Sequence, residues 1–258
     1  MAKTLSPLVV IVGETASGKS DLAMSLAQQF KGEIISADSR AIYRGMDIGT
    51  AKPSKQDQEK IKHHLIDIIN PGEKYSVLRF KNDAKEIIND ITNRGKLPIM
   101  VGGSGLYIDA VVFDYQFDSN PDIRSLVNPR HAQTDNKVDC INEIRDNTLI
   151  IGISRSKEEL KSRIAQRFEE MLDGGVIDEV SELLNRYGSD NDVLSGIGYK
   201  TFVRYINGEI DIDRLREEYI RGDMYLAKRQ RTWFKRNKSI HWIKTQSEAV
   251  ELVTTLLR

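Results

Sequence analysis

The chain has 258 residues and a mass of 29.3 kDa, more than one typical domain of about 150 residues and less than two, so one domain with an appendage is expected. With 40% hydrophobic and 29% charged residues, 18 Gly and 6 Pro, the composition excludes global disorder and collagen-like repeats. The 38 basic and 38 acidic side chains cancel, so any affinity for nucleic acid has to come from local clustering.

The lone Cys140 has no internal disulfide partner, and the first apolar run, Leu8–Val12, is too short for a signal sequence or a membrane span. A reducing, cytoplasmic type of protein with no membrane association is expected. Short β-branched runs alternate with longer amphipathic stretches, which predicts an α/β fold, a parallel sheet flanked by helices. Strands are predicted at Leu8–Val12, Glu33–Ser36, Leu97–Val101 and Leu149–Ile153, and helices at Lys19–Phe30 and Arg79–Asn93. Between Asp114 and Thr148 the periodicity fails in a polar, turn-rich stretch, read as a loop or insertion of about 30 residues. Helices resume at Ser156–Gly174, with Ser156 as N-cap and Glu159 three residues on, then at Asp178–Tyr187 and Asp211–Asn237. A strand, Ile240–Ile243, and an amphipathic tail, Ser247–Leu257, complete the chain. The expected organisation is a core begun by residues 1–113, a reduced insertion at 114–148, and completion of the core with a basic C-terminal helical part at 149–258.

Gly13-Glu14-Thr15-Ala16-Ser17-Gly18-Lys19-Ser20 fits G-x-x-x-x-G-K-[ST] between a predicted strand and a predicted helix, the context of a phosphate-binding P-loop. Its glycines let successive N–H groups point inward, the helix N-terminus adds positive potential, Lys19 can reach terminal phosphates, and the Ser20 hydroxyl can ligate Mg²⁺. Such a loop holds a diphosphate without saying which one, so kinases, NTPases and transferases all remain. Asp38 follows the second strand at its C-terminal end, the edge where open parallel sheets bind ligands. There it can orient a metal ion, accept a proton, or merely cap the next turn.

Beyond these pieces, the chain resembles the tRNA dimethylallyltransferases. The resemblance is carried by G-E-T-A-S-G-K-S at 13–20, D-S-R-A-I-Y-R-G-M-D-I-G-T-A-K-P at 38–53, His63-His64-Leu65-Ile66-Asp67, and Tyr75-Ser76-Val77. It continues through Gly95–Ile108, Arg163–Gly175, Gly196-Ile197-Gly198-Tyr199-Lys200 and Ala227–Phe234, in order along most of the chain. It implies transfer of a dimethylallyl group from dimethylallyl diphosphate to N6 of adenosine 37 beside the tRNA anticodon, with Mg²⁺ as cofactor. On that basis Asp38 is the expected general base, Ser104 helps hold adenine or diphosphate, and Gly13, Thr15, Ala16, Ser17, Gly18, Lys19 and Ser20 cradle the diphosphate. Contacts to the tRNA anticodon arm are expected from Asp38, Ser39, Arg40, Ala41, Ser104 and Arg124. His63 and His64 are read as structural.

Three departures from the family pattern stand out. Glu14 replaces the usual proline and is expected to point outward. The insertion that wraps the anticodon arm is reduced to the stretch around 118–147. Asp223 and Met224 stand where the family has a Thr-Arg pair whose arginine touches the diphosphate, which makes Arg221 the candidate replacement. From Arg214 to Lys244 there are ten Lys/Arg and three acids, and Lys228, Arg231, Lys235 and Lys238 recur at spacings of three and four. That stripe is either a phosphate-tracking surface or a solvated basic face, and the resemblance favours tRNA contact by Lys228, Arg231 and Lys235. A monomer is expected. The alternatives are a P-loop kinase of nucleotides or small molecules, with Arg155, Arg163 and Arg167 as a phosphate lid; a transferase prenylating free AMP or ADP; and a non-catalytic RNA-binding protein that keeps an old P-loop.

Overall fold

Odd and even residues of the first strand serve two different cores. In a computed structural model describing residues 5–116, 143–189, 194 and 196–258, β1 (Leu8–Gly13) is buried along its whole length. Leu8, Val10 and Val12 pack on one side with Phe80, Ala84, Ile88, Met100 and Ile108, while Val9 and Ile11 pack on the other with Leu22, Leu26, Ile99, Ile151 and Val253. Alternation of successive side chains across a central strand dictates this division. Six parallel strands form the sheet: β2 (Gly32–Ser36), β3 (His63–His64), β4 (Leu97–Gly102), β5 (Thr148–Ile153) and β6 (Ile240–Ile243) join β1 in the order β3-β2-β4-β1-β5-β6. Helices α1 (Lys19–Gln29) and α9 (Gln246–Leu256) cover one face, and α3 (Val77–Asn93) and α4 (Gly105–Val112) the other.

The strands and most helices lie where the sequence predicts them, and Ser156 caps α5 (Lys157–Asp173) by accepting from Glu159 N at 3.0 Å. Four elements are additional: the polar α2 (Lys55–Lys60), the two-residue β3, α4, and α7 (Ile197–Ile206). A third core lies off the sheet, where α5, α6 (Val176–Tyr187), α7 and α8 (Ile212–Phe234) bring Phe168 against Phe202 and Tyr219 at centroid distances of 6.1 and 5.1 Å. Met46, from the segment after β2, is buried in that same core. The last helix before β6 ends at Phe234 rather than Asn237, because Asn237 Oδ1 accepts from Ser239 N at 2.9 Å and turns the chain toward the sheet. Among the described residues no helix is long and apolar enough to cross a membrane.

One buried charge knits the N-terminal edge of the sheet. Glu33 accepts from Arg94 at 2.5 and 2.7 Å and from Lys96 at 2.7 Å, and His64 Nε2 lies 2.7 Å away, which gives His64 the structural role expected of it. The Arg94 guanidinium, helped by Lys96 and His64, holds the Glu33 carboxyl far below the usual carboxylate range. A depressed carboxyl stabilises the fold above its unfolded pKa of about 4.3 and loses that contribution as pH falls further. Glu33→Gln is therefore expected to lower stability by about 1–3 kcal/mol near neutral pH. In urea melts the gap from wild type should narrow below about pH 4. A gap independent of pH would show that the charge contributes nothing.

Candidate active site

The C-terminal ends of β1, β2 and β4 converge at one edge of the sheet, and each carries a segment singled out in the sequence. After β1 the chain turns through Ala16 (φ 58°) and Gly18 (φ 93°) into α1. The left-handed backbone at this position is what calls for Gly18, and the guanidinium of Arg163 lies beside it, 3.6 Å from where a Cβ would stand. Lys19 folds back so that Nζ donates to the Glu14 carbonyl at 2.5 Å. Burial pushes its ammonium down to about 8, against the opposing pull of the Asp38 charge.

Three arginines dock on successive residues of this loop. Arg167 Nη2 donates to Thr15 Oγ1 at 2.9 Å, Arg163 Nε to the Ala16 carbonyl at 2.7 Å, and Arg155 Nε to the Ser17 carbonyl at 3.2 Å. Arg163 and Arg167, four apart on α5, share a face for that reason. Ser17 Oγ and Arg167 Nε are buried without hydrogen-bond partners. Arg167 is ion-paired with Asp223 and Arg155 with Glu159, so Lys19 and Arg163 supply the unbalanced charge at the loop, and with the unspent donors they make a setting for a multiply charged anion.

On the neighbouring rim, Asp38 Oδ1 accepts from Arg40 N at 2.8 Å and Ala41 N at 3.4 Å, which fixes the carboxylate at the mouth of β2. Ser104, at the mouth of β4, accepts from Ser39 N at 3.0 Å and donates to Ser39 Oγ at 3.3 Å, while its own N–H donates to the Ala37 carbonyl. The two strand ends approach so closely that a Cβ on Gly102 would sit 2.1 Å from the Ala37 carbonyl oxygen. Asp38, Ser39, Arg40, Ala41 and Ser104 therefore form one rim facing the P-loop.

Residues to which the sequence assigns no site role hold this rim and the loop in place. Glu179, on α6, accepts from the backbone N–H groups of Asp47, Ile48 and Gly49 at 2.7, 2.7 and 3.0 Å and from the Tyr199 hydroxyl at 2.7 Å. Lys52 joins the Tyr43 carbonyl, Asp47 and Asp67. From α8, Gln230 accepts from Thr15 N at 2.6 Å and donates to the Gly103 carbonyl at 3.2 Å, bridging P-loop and rim. Trp233 donates to Asp109 at 2.8 Å, and burial pushes the Asp109 carboxyl up to about 6.

Three expectations need correction. Glu14 does not point outward: its side chain is fully buried, ion-paired with Arg231, and accepts from Ser154 Oγ at 3.2 Å. A carboxylate next to buried backbone needs a cation, and α8 brings one within reach. Arg231 accordingly turns inward, with Nη2 also donating to the Arg155 carbonyl at 2.8 Å, while Lys228 and Lys235 on either side of it stay exposed. Arg221 does not approach the loop; its side chain is 66% exposed, with Glu218 3.9 Å away. Two residues along a helix is about 200° of rotation, so it is Asp223 that faces inward, ion-paired with Arg167. Arg124 and most of the 114–148 insertion, with Arg130 and Cys140, lie outside the described residues.

The IPP transferase family model matches residues 41–146 and 128–237. The chain is 36% identical to the tRNA dimethylallyltransferase of Staphylococcus haemolyticus, covering 95% of this chain and 89% of that one. It is 35% identical to that of Pelotomaculum thermopropionicum, over 94% and 92%. Among solved structures, the tRNA delta(2)-isopentenylpyrophosphate transferase of Staphylococcus epidermidis superposes with a TM-score of 0.81 at 33% identity, over 98% of this chain and 99% of the other. A eukaryotic dimethylallyltransferase acting on tRNA superposes at 0.77 with 26% identity, over 92% and 74%. A site built at the ends of β1, β2 and β4 thus sits in a fold that matches these enzymes over more than nine-tenths of this chain: the chain belongs to the IPP transferase family.

Proposed function

We propose that this chain transfers the dimethylallyl group of dimethylallyl diphosphate to N6 of adenosine 37 in tRNA, releasing diphosphate. The observation that carries the reading is the apposition of a cationic phosphate loop and a fixed carboxylate across one sheet edge, close enough for Asp38 to act on the charge of Lys19. The adenine amine is a poor nucleophile because its lone pair is delocalised into the ring. Its nitrogen attacks the allylic carbon, the carbon–oxygen bond to diphosphate breaks with both electrons leaving on oxygen, and the amine proton passes to Asp38. With Oδ1 held by two backbone N–H groups, Oδ2 is the oxygen for that proton. Lys19, Arg163 and Arg167 stabilise the departing diphosphate, and an allylic carbon tolerates the cationic character this geometry promotes. Ser104 and Ser39 orient the base at the rim.

Among the described residues no group of three His, Cys, Asp or Glu side chains is placed to hold a metal ion, and the P-loop offers the exposed Ser20 hydroxyl. That donor set fits Mg²⁺ held by Ser20 and mainly by the oxygens of the diphosphate itself. When bound, Mg²⁺ neutralises charge on the leaving group. Exposed Lys228 and Lys235 supply backbone contacts to the anticodon arm, and tRNA in a cytoplasmic setting is the macromolecular substrate.

Purified protein incubated with labelled dimethylallyl diphosphate and Mg²⁺ should label tRNA. Labelling of AMP alone would make it a free-nucleotide transferase, and no labelling of either would remove the reading. The lowered pKa of Lys19 adds a pH signature. The ammonium is charged below about 8, so affinity for dimethylallyl diphosphate should weaken as pH rises through that value. Titration calorimetry across this range should show the trend in wild type and its loss in Lys19→Met.

A further inference from the structure

We propose that Glu14 and Arg231 act as a charge-balancing pair that sets the affinity of the phosphate loop for its diphosphate, with both as positioning residues rather than substrate contacts. The inference rests on the transferase reading above. Glu14 supplies the carbonyl that receives Lys19 Nζ at 2.5 Å, so a fully buried carboxylate and the loop's own phosphate-binding cation share one residue. The Glu14 charge also acts on the Lys19 ammonium, which places it within electrostatic range of whatever Lys19 binds. Its Oε1 takes Arg231 Nε and Ser154 Oγ, and its Oε2 is buried without a partner. Arg231 is the ion-pair partner of Glu14.

Arg231 reaches further than this one contact. Its Nη2 donates to the Arg155 carbonyl, and Arg155 Nε returns to the Ser17 carbonyl, so a closed circuit runs from the loop to α8, to the junction of β5 and α5, and back. Without Arg231, the carboxylate would stand unbalanced beside a site that must accept a multiply charged anion, and at short range in a low dielectric that repulsion is large. Arg231 therefore serves the diphosphate through Glu14, although it lies on the helix between two exposed lysines.

The test separates charge balance from packing. Affinity for dimethylallyl diphosphate with Mg²⁺ is measured by calorimetry for wild type, Arg231→Met, Arg231→Lys and the double variant Glu14→Gln/Arg231→Met, each checked for native melting behaviour. Arg231→Met should weaken binding by about tenfold or more, because removing one member of a buried pair is worse than removing both. The double variant should recover to within about threefold of wild type, and Arg231→Lys should retain most of the affinity. If the double variant binds as poorly as Arg231→Met, the pair is merely structural and the proposal fails. The same variants report on RNA: Arg231→Met should leave the salt dependence of tRNA affinity unchanged, whereas one lost phosphate contact would flatten its slope by about 0.7–0.9. A flattened slope with unaltered diphosphate affinity would make Arg231 an RNA contact and overturn the proposal. A wild-type protein that binds ATP but not dimethylallyl diphosphate would instead overturn the functional reading on which it rests.

Discussion

Replacing Lys19 by alanine is expected to lower kcat/KM for dimethylallyl diphosphate by roughly 10²–10³-fold, the scale seen when one well-placed electrostatic donor to a developing anion is lost. Lys19 Nζ rests on the Glu14 carbonyl, a neutral acceptor, so the ammonium is held at the mouth of the loop. Its contact strengthens as the carbon–oxygen bond breaks and charge gathers on the diphosphate, so kcat should fall along with affinity. Arg163 and Arg167 remain on the loop and supply residual stabilisation, which is why the variant should be slow rather than dead. Single-turnover rates at saturating tRNA check this, and a wild-type rate in a folded Lys19→Ala protein would show that another group carries the leaving-group charge.

Asp38→Asn is the second large effect. The amide keeps the shape of the side chain, and its oxygen can still accept from Arg40 N and Ala41 N, so the rim should hold. The lost function is that of a base, and kcat should drop roughly 10²–10⁴-fold. Affinity for tRNA should change little, since Ser39, Ser104 and the exposed lysines are untouched. If tRNA binding collapses while the single-turnover chemistry survives, Asp38 is a binding residue and the proton goes elsewhere.

The sequence made the P-loop and the carboxylate legible because both depend on short-range pattern: a glycine spacing between a strand and a helix, and an acid at a strand end. It made the buried strands legible because each is a compact apolar run. It did not reveal β3, which is two histidines with no apolar signal, nor α2, which buries none of its residues. The supports of the site were hidden for a different reason. Gln230 meets Thr15 across 215 residues, Arg231 meets Glu14 across 217, and Glu179 meets the 47–49 backbone across about 130, so no local spacing reveals these partners. The burial of Glu14 is not legible in the sequence because a charged residue in a loop is ordinarily solvated, and the cation that permits its burial lies on α8. Arg221 stays away from the loop because proximity along a helix is not proximity on its surface: Asp223, two residues on, takes the inward face.

The most direct measurement is mass spectrometry after purified protein reacts with dimethylallyl diphosphate and Mg²⁺ in the presence of both tRNA and AMP, the tRNA then being digested to oligonucleotides and to nucleosides. One dimethylallyl group is expected, confined to the oligonucleotide containing adenosine 37 and recovered on N6 of the nucleoside, with none on tRNA treated with Asp38→Asn for the same short time. Unmodified tRNA beside prenylated AMP, or a group on any other nucleotide, would contradict the assignment of this site to adenosine 37.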